Sequence, residues 1–395
     1  MKTRVLLAIS LLLSGSAFAQ SVDPLRNVSG TSSNPGTGSP WVLSQAGSWT
    51  FFHGFDAHVT YVSEVGPETP QDEVFSTNWF AAGAQLGLGD RAFILGRGRV
   101  SLEPYTIPDD DGYPQLLQYV SPSAGGPLID RMRPQDLIGE AAVQIGFKPT
   151  NATLLHVYGA LVGTPALGPA PFAMRSSSVD LATAPFAYDI QESYSDSGSV
   201  ITAGFASRWL ALEGSVFADT FTTGEHTEIA DGDIDSRSVR LTLTPSSALS
   251  IQASRGELGE ELAKRTVSSA SVSFGGPMVA ATALWTQREY EDELRPSETA
   301  YGFEVALRGT RNTFMGRAEW VDRPSGFPDA PLDVTTEQTT HFAVGYLFDV
   351  IAGSRYRAGL GVNVDYHTQS HELDARYGHK PQSIYAFVRF RNAGL

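Results

Sequence analysis

The chain has 395 residues, 39 Gly, no Cys and a formal net charge of −15. That balance excludes a general affinity for nucleic acid, because an acidic surface repels phosphate, and the lack of Cys excludes a disulfide framework. A chain of this length reads as two or three soluble domains or as one large barrel, and residue patterning decides between them.

The first residues carry an address. Met1-Lys2-Thr3-Arg4 is a basic start, Val5 to Leu13 a short apolar core, and Ala17-Phe18-Ala19 a small-x-small cleavage site before Gln20. Together they predict a secretory signal peptide over residues 1–19. The apolar core is too short to span a bilayer about 30 Å thick. Cleavage removes Lys2 and Arg4 and takes the formal charge from −15 to −17. Residues 20–48 are rich in Gly, Ser, Pro and Asn and predict a flexible periplasmic N-terminal arm, or a plug-like segment, ahead of a barrel over 49–395. No later run of 18 apolar residues occurs, so no transmembrane helix is expected.

From Trp49 onward a period of two dominates, which means strand. Sixteen segments fit it: 49–64, 77–88, 91–103, 138–148, 152–163, 198–206, 209–219, 235–244, 247–255, 265–275, 277–289, 298–309, 312–322, 339–350, 354–368 and 382–391. The connections between them alternate tight and long. Gly89-Asp90, Ser207-Arg208, Pro245-Ser246 and Ile351-Ala352-Gly353 are tight, whereas 104–137 and 164–197 are long. The rhythm is that of a closed antiparallel transmembrane β-barrel of about 16 strands, with short periplasmic turns and long extracellular loops. Closure is required because hydrocarbon offers no partner to the edge of an open sheet. The expected place is the outer membrane of a Gram-negative bacterium, with lipid and the outer-membrane assembly machinery as partners.

Alternation assigns the faces. In RAFILGRGRVSLEP, Ala92, Ile94, Val100 and Leu102 take the lipid side, and Arg97, Arg99 and Glu103 the inside. The opposite register would put Arg in hydrocarbon at about 2–4 kcal/mol each near mid-membrane. The same rule turns Glu140, Glu213, Arg240, Glu304, Arg308, Arg317, Glu319, Arg355, Arg357, Asp365 and Arg389 inward. The pore-lining set is Arg97, Arg99, Glu103, Glu140, Glu304, Arg317, Glu319, Arg355, Arg357 and Arg389. Trp49, Trp79, Trp209, Trp285 and Trp320 lie near strand ends, as aromatic girdles do. The two longest loops are too apolar for free solvent. Tyr113, Leu116 and Leu117, with Asp130, Arg131 and Asp136, are expected on a loop folded into or over the barrel mouth.

Ser101-Leu102-Glu103-Pro104, Gly112-Tyr113-Pro114-Gln115-Leu116-Leu117-Gln118 and Pro127-Leu128-Ile129-Asp130-Arg131 form a distinctive series. It resembles a family of uncharacterised Gram-negative outer-membrane β-barrel proteins with S-x-E-P, G-Y-P-x-L-L-Q and P-L-x-D-R-x-x-P-x-D loop motifs. The resemblance implies the barrel and its location; members are sometimes associated with metal-resistance loci. The family's H-P-H-D reads Arg133-Pro134-Gln135-Asp136 here, without either His.

The chemical motifs are sparse. There is no G-x-S-x-G elbow for a nucleophilic Ser. His367 and His371 with Glu372, Asp374 and His379 are the densest cluster, and their spacing reads more simply as a solvated loop than as a zinc site. Asp109-Asp110-Asp111-Gly112 lacks the later Glu of a calcium loop. No metal or other cofactor and no catalytic residue is assigned. The reading is a porin-like passive channel for small polar solutes or ions. The alternatives are a non-conducting structural or metal-associated barrel, and an outer-membrane hydrolase.

Overall fold

The computed structural model describes residues 22–36, 39–68, 70–108, 112–123, 126–191, 197–219, 226–229, 232–259, 264–291, 296–324, 336–369 and 371–394. The signal-peptide stretch 1–19 and Asp109 to Asp111 lie outside the described residues.

Sixteen antiparallel strands, each hydrogen-bonded to its neighbours in chain order, close on themselves. They are β1 (Trp49–Val65), β2 (Asp72–Leu88), β3 (Ala92–Val100), β4 (Ile138–Thr150), β5 (Thr153–Gly163), β6 (Ser197–Ser207), β7 (Leu210–Ala218) and β8 (Ser236–Ser246). The circle continues through β9 (Leu249–Leu258), β10 (Arg265–Gly275), β11 (Val279–Tyr290), β12 (Glu298–Arg308), β13 (Asn312–Pro324), β14 (Thr336–Ala352), β15 (Tyr356–Thr368) and β16 (Gln382–Asn392). The seam joins the last strand to the first, from Gln382 opposite Val65 to Arg391 opposite Asp56. A short strand, Val42–Ala46, pairs with Trp49 to His53 and extends the seam past the end of β16. Among the described residues the barrel strands close without a free ladder edge, which is the condition for spanning.

Strand limits match the period-two segments to within a few residues. The largest difference is β2, which begins at Asp72 instead of 77 and shortens the first outer connection. Connections between β2 and β3, β4 and β5, β6 and β7, and on through β14 and β15, are two or three residues long and share one rim. Among the described residues no helix is long and apolar enough to cross a membrane.

The outer face is apolar. Ile94, Val100, Leu102, Val143, Ile145, Phe205, Phe303 and Leu360 are all exposed, while their sequence neighbours Arg99, Gln144, Gly359 and Glu304 are buried on the other side. Val344 stands at the middle of β14 and is 69% exposed. Val344→Arg is therefore expected to cost about 2–4 kcal/mol, the penalty for Arg near the bilayer midplane. Urea unfolding in lipid vesicles, read against Val344→Leu, measures it.

Among the described residues, three long pieces of the chain pack inside the barrel: residues 22–36, an irregular hairpin (Tyr113–Ser123 with Gly126–Met132), and the connection 164–191. The first piece corrects the flexible-arm reading of 20–48. Val28, Ser29 and Ser32 are fully or almost fully buried, because side chains of the barrel wall bind this stretch as described below. Two more corrections concern single residues. Trp79 is no girdle residue; it is buried on the inner face, and its indole N–H donates to Ala173 O at 3.0 Å. Arg355 is exposed in the tight turn before β15, which starts at Tyr356, so it leaves the pore-lining set.

Candidate functional site: the ionic lumen

The inner wall carries guanidinium and carboxylate groups in places where water is largely excluded. A buried charge is tolerable only when it is paired and its remaining donors or acceptors are used. Each internal piece supplies such partners.

Residues 22–36 dock on β3, β4, β7 and β8. Arg97 holds Glu140 through two parallel hydrogen bonds, Nε to Oε2 at 3.0 Å and a terminal nitrogen to Oε1 at 2.8 Å. Its other donors reach Asn27 O at 2.9 Å and Gly30 O at 2.6 Å. Glu140 also accepts from the Gly30 N–H at 3.1 Å and the Tyr158 hydroxyl at 2.7 Å. Gly30 is required here: its φ is +52°, and a Cβ would stand 2.4 Å from Thr164 O. Arg99 donates to Ser29 Oγ at 3.2 Å and to Gly139 O at 2.9 Å. Farther round, Arg240 pairs with Glu213 at 2.8 Å and donates to Thr31 Oγ1 at 2.7 Å.

The 164–191 piece crosses to the opposite wall. Arg175 makes a two-point pair with Glu304, both bonds 2.8 Å, and Arg317 binds Thr183 O at 3.0 Å and Ser178 Oγ at 2.6 Å. Asp180 is fully buried; it binds Arg308 at 2.6 Å, pairs with Arg389, and lies 3.3 Å from Arg391. Glu319 accepts the backbone N–H of Phe186 at 2.7 Å and meets His341 Nδ1 at 2.9 Å.

The hairpin piece packs on the second. Leu116 and Leu117 share an apolar cluster with Phe186, Ile190 and Tyr377, and Tyr113 stacks on Phe75 at 4.5 Å between ring centres. Leu117 has φ +58° and Asp130 +59°, a conformation side chains seldom adopt. The strain is held by Asp130, which accepts from Leu117 N–H at 2.9 Å and from the Tyr377 hydroxyl at 2.7 Å. Arg131 pairs with Glu73 at 3.0 Å, and Asp136 with His226 at 2.7 Å.

Glu103 ties the root of this loop to the wall. It accepts from Asn78 N–H at 3.0 Å and from Gln135 N–H at 2.7 Å. Burial pushes its carboxyl up to about 7, against those donors, which act to lower it. The native state thus keeps this proton to higher pH than the unfolded chain does. Its stabilising contribution is complete below the unfolded value near 4.5 and is lost as pH rises through about 7. Unfolding midpoints at about pH 5 and about pH 8 test this: the fall between them should shrink in Glu103→Gln.

Of the predicted pore-lining residues, Arg97, Arg99, Glu103, Glu140, Glu304, Arg317, Glu319 and Arg389 are on the inner side but covered by the internal pieces. Arg357 is half-buried at the short-turn rim, with Nε 3.1 Å from Asp349. Tyr113, Leu116, Leu117, Asp130 and Asp136 are buried and Arg131 half-buried, all on the folded-in loop. Sequence reasoning missed Arg175 and Asp180, the two charged anchors of the second piece. It also grouped His367 with His371, whereas His367 lies inside the barrel, stacked on His341 at 4.8 Å. Outside, His371 and His379 each place Nδ1 within 2.8 Å of one Asp374 oxygen, so these exposed groups already satisfy one another.

Small cavities lie between filling and wall. One internal cavity, lined by Asp56, Trp79, Glu103 and Tyr113, measures about 40 Å³. Another, beside Glu213 and Arg240, measures about 30 Å³. Each has room for two or three waters. At the short-turn mouth a larger cavity of about 450 Å³ opens.

No family model and no curated protein matches the sequence. Solved structures do match the fold. The anion-selective porin from Comamonas acidovorans is 12% identical, with a TM-score of 0.53 over 87% of this chain and 99% of that one. Salmonella typhi OmpF, in complex with daunomycin, is 8% identical with a TM-score of 0.54 over 89% and 100%. Pseudomonas putida OprB is 10% identical with a TM-score of 0.52 over 87% and 94%. The chain thus has the closed 16-stranded antiparallel barrel fold of outer-membrane porins, with an interior packed by its own N-terminal segment and loops.

Proposed function

We propose that the chain is a porin-like channel of the Gram-negative outer membrane, passing small polar solutes or ions by a route its folded-in pieces narrow. The observation that carries this reading is the combination of a closed 16-strand wall, apolar outside, with an inner face of alternating Arg and carboxylate groups. Sixteen strands enclose a lumen wide enough for water, and opposed charges at a constriction orient a polar solute. No reaction is assigned to the barrel. The small size of the internal cavities favours one competing reading, a non-conducting structural barrel.

Single-channel recording in planar bilayers separates the two. The intact protein is expected to give small steps. A variant with residues 165–190 replaced by a short Gly-Ser turn is expected to give steps several-fold larger, because the piece anchored by Arg175 and Asp180 is gone. Silence from both proteins, with correct folding shown by circular dichroism, would end the channel reading.

A further inference from the structure

The cavity at the short-turn mouth has an uneven charge balance. Arg26, Arg308, Arg357 and Arg391 line it, together with Asn34, Ser176 and backbone from Gly275, Gly309 and Gly394, and among the described residues no Asp or Glu lines it. The carboxylates that pair with these guanidinium groups lie inside the barrel and are shared. Asp180 serves Arg308, Arg389 and Arg391, and Asp349 serves Arg357 and Arg389. Asp56, opposite Arg391 across the seam, is engaged by His58 at 3.1 Å. Arg26 donates to Gly36 O at 2.5 Å, and among the described residues no ion pair holds it.

Arg391 is the sharpest case. It is 0% exposed, and among the described residues none of its three guanidinium nitrogens has a hydrogen-bond acceptor, while its ionic contact is Asp180 at 3.3 Å. A guanidinium taken out of water and left with five unused donors is costly. A buried group left unsatisfied in this way calls for an explanation, and a bound ion is one.

We propose that this vestibule is a binding site for a small oxyanion, of the phosphate or carboxylate class, held by Arg391, Arg357, Arg308 and Arg26. The cavity volume suits inorganic phosphate or a small organic acid or phosphate ester, not a polymer. Planar two-point donation makes Arg the side chain matched to such groups. The site lies at the periplasmic rim, built by the turns after β10 and β12, the C-terminal residues and residues 34–36 and 40. Binding there needs no through-route and is independent of whether the barrel conducts.

Thermal unfolding and equilibrium binding of the whole protein in detergent test it, with phosphate or succinate against chloride at equal ionic strength. A ligand that binds only the native state raises the melting temperature. The wild type should show a saturable rise with phosphate, succinate or both, but not with chloride. Arg391→Met should melt higher than wild type without anion, since it removes an unsatisfied buried charge, and should lose the anion-dependent rise. Arg357→Gln, at the half-buried rim, should fold normally and bind at least about 10-fold more weakly, the loss expected for one charge-assisted contact. No anion-dependent rise in the wild type, or unchanged affinity in both variants, overturns the proposal. A rise with phosphate alone assigns the phosphate class, and one with succinate alone the carboxylate class.

Discussion

Asp180→Asn is expected to lower unfolding free energy by about 3–5 kcal/mol, the cost of leaving a buried charge without its partner. The carboxylate is 0% exposed and stands among Arg308, Arg389 and Arg391. Asn keeps the shape but removes the charge that all three guanidinium groups share. The 164–191 piece would lose the anchor that joins it to both β12 and β16. Urea unfolding in micelles measures the loss, and Trp79 is a suitable reporter because its indole is bound to Ala173 of the same piece. Asp180→Asn combined with Arg389→Met should recover part of the loss, since the second change removes one orphaned charge. A loss below about 1 kcal/mol, the scale of an exposed ion pair, would contradict the burial argument.

Glu140→Leu should cost a similar amount, about 3–5 kcal/mol, and its signature is local. Glu140 meets Arg97, the Gly30 N–H and the Tyr158 hydroxyl at one point. Removing it takes away the carboxylate of Arg97 and leaves that guanidinium on the carbonyl oxygens of Asn27 and Gly30. Those belong to the N-terminal segment, which should loosen and be cut faster by added protease at residues 22–36. The double change Arg97→Met with Glu140→Leu removes charge from both sides. It should regain most of the global stability, because a buried pair replaced by apolar groups is often neutral. Protease sensitivity should persist, since the segment's hydrogen bonds to the pair are not restored.

The barrel was legible because each of its rules is local. Ile94, Val100 and Leu102 against Arg97 and Arg99 show a two-sided strand within a dozen residues, and the short turns set the rim. The filling was less legible because its rules are long-range. Residues 22–36 have the Gly-Ser composition of a flexible arm, and they are ordered by Arg97 and Arg240, which lie tens to hundreds of residues away. Apolar Leu116 and Leu117 betrayed an inward loop, but a hairpin with residues at positive φ and a shifted register has no alternation to read. Trp79 looked like an interfacial tryptophan because strand position alone does not say what stands opposite its ring. Arg175 and Asp180 lie in a stretch without periodicity, so nothing nearby marked them as anchors.

The seam between β16 and β1 has a kinetic consequence. Asp180 draws two of its three guanidinium partners, Arg389 and Arg391, from the final strand, more than 200 positions downstream. Its clamp therefore assembles only after the C-terminal hairpin has arrived, and contacts of such sequence separation form slowly. Refolding should show two phases: an early one as the cylinder zips shut, and a later one, reported by the indole of Trp79, as the interior sets.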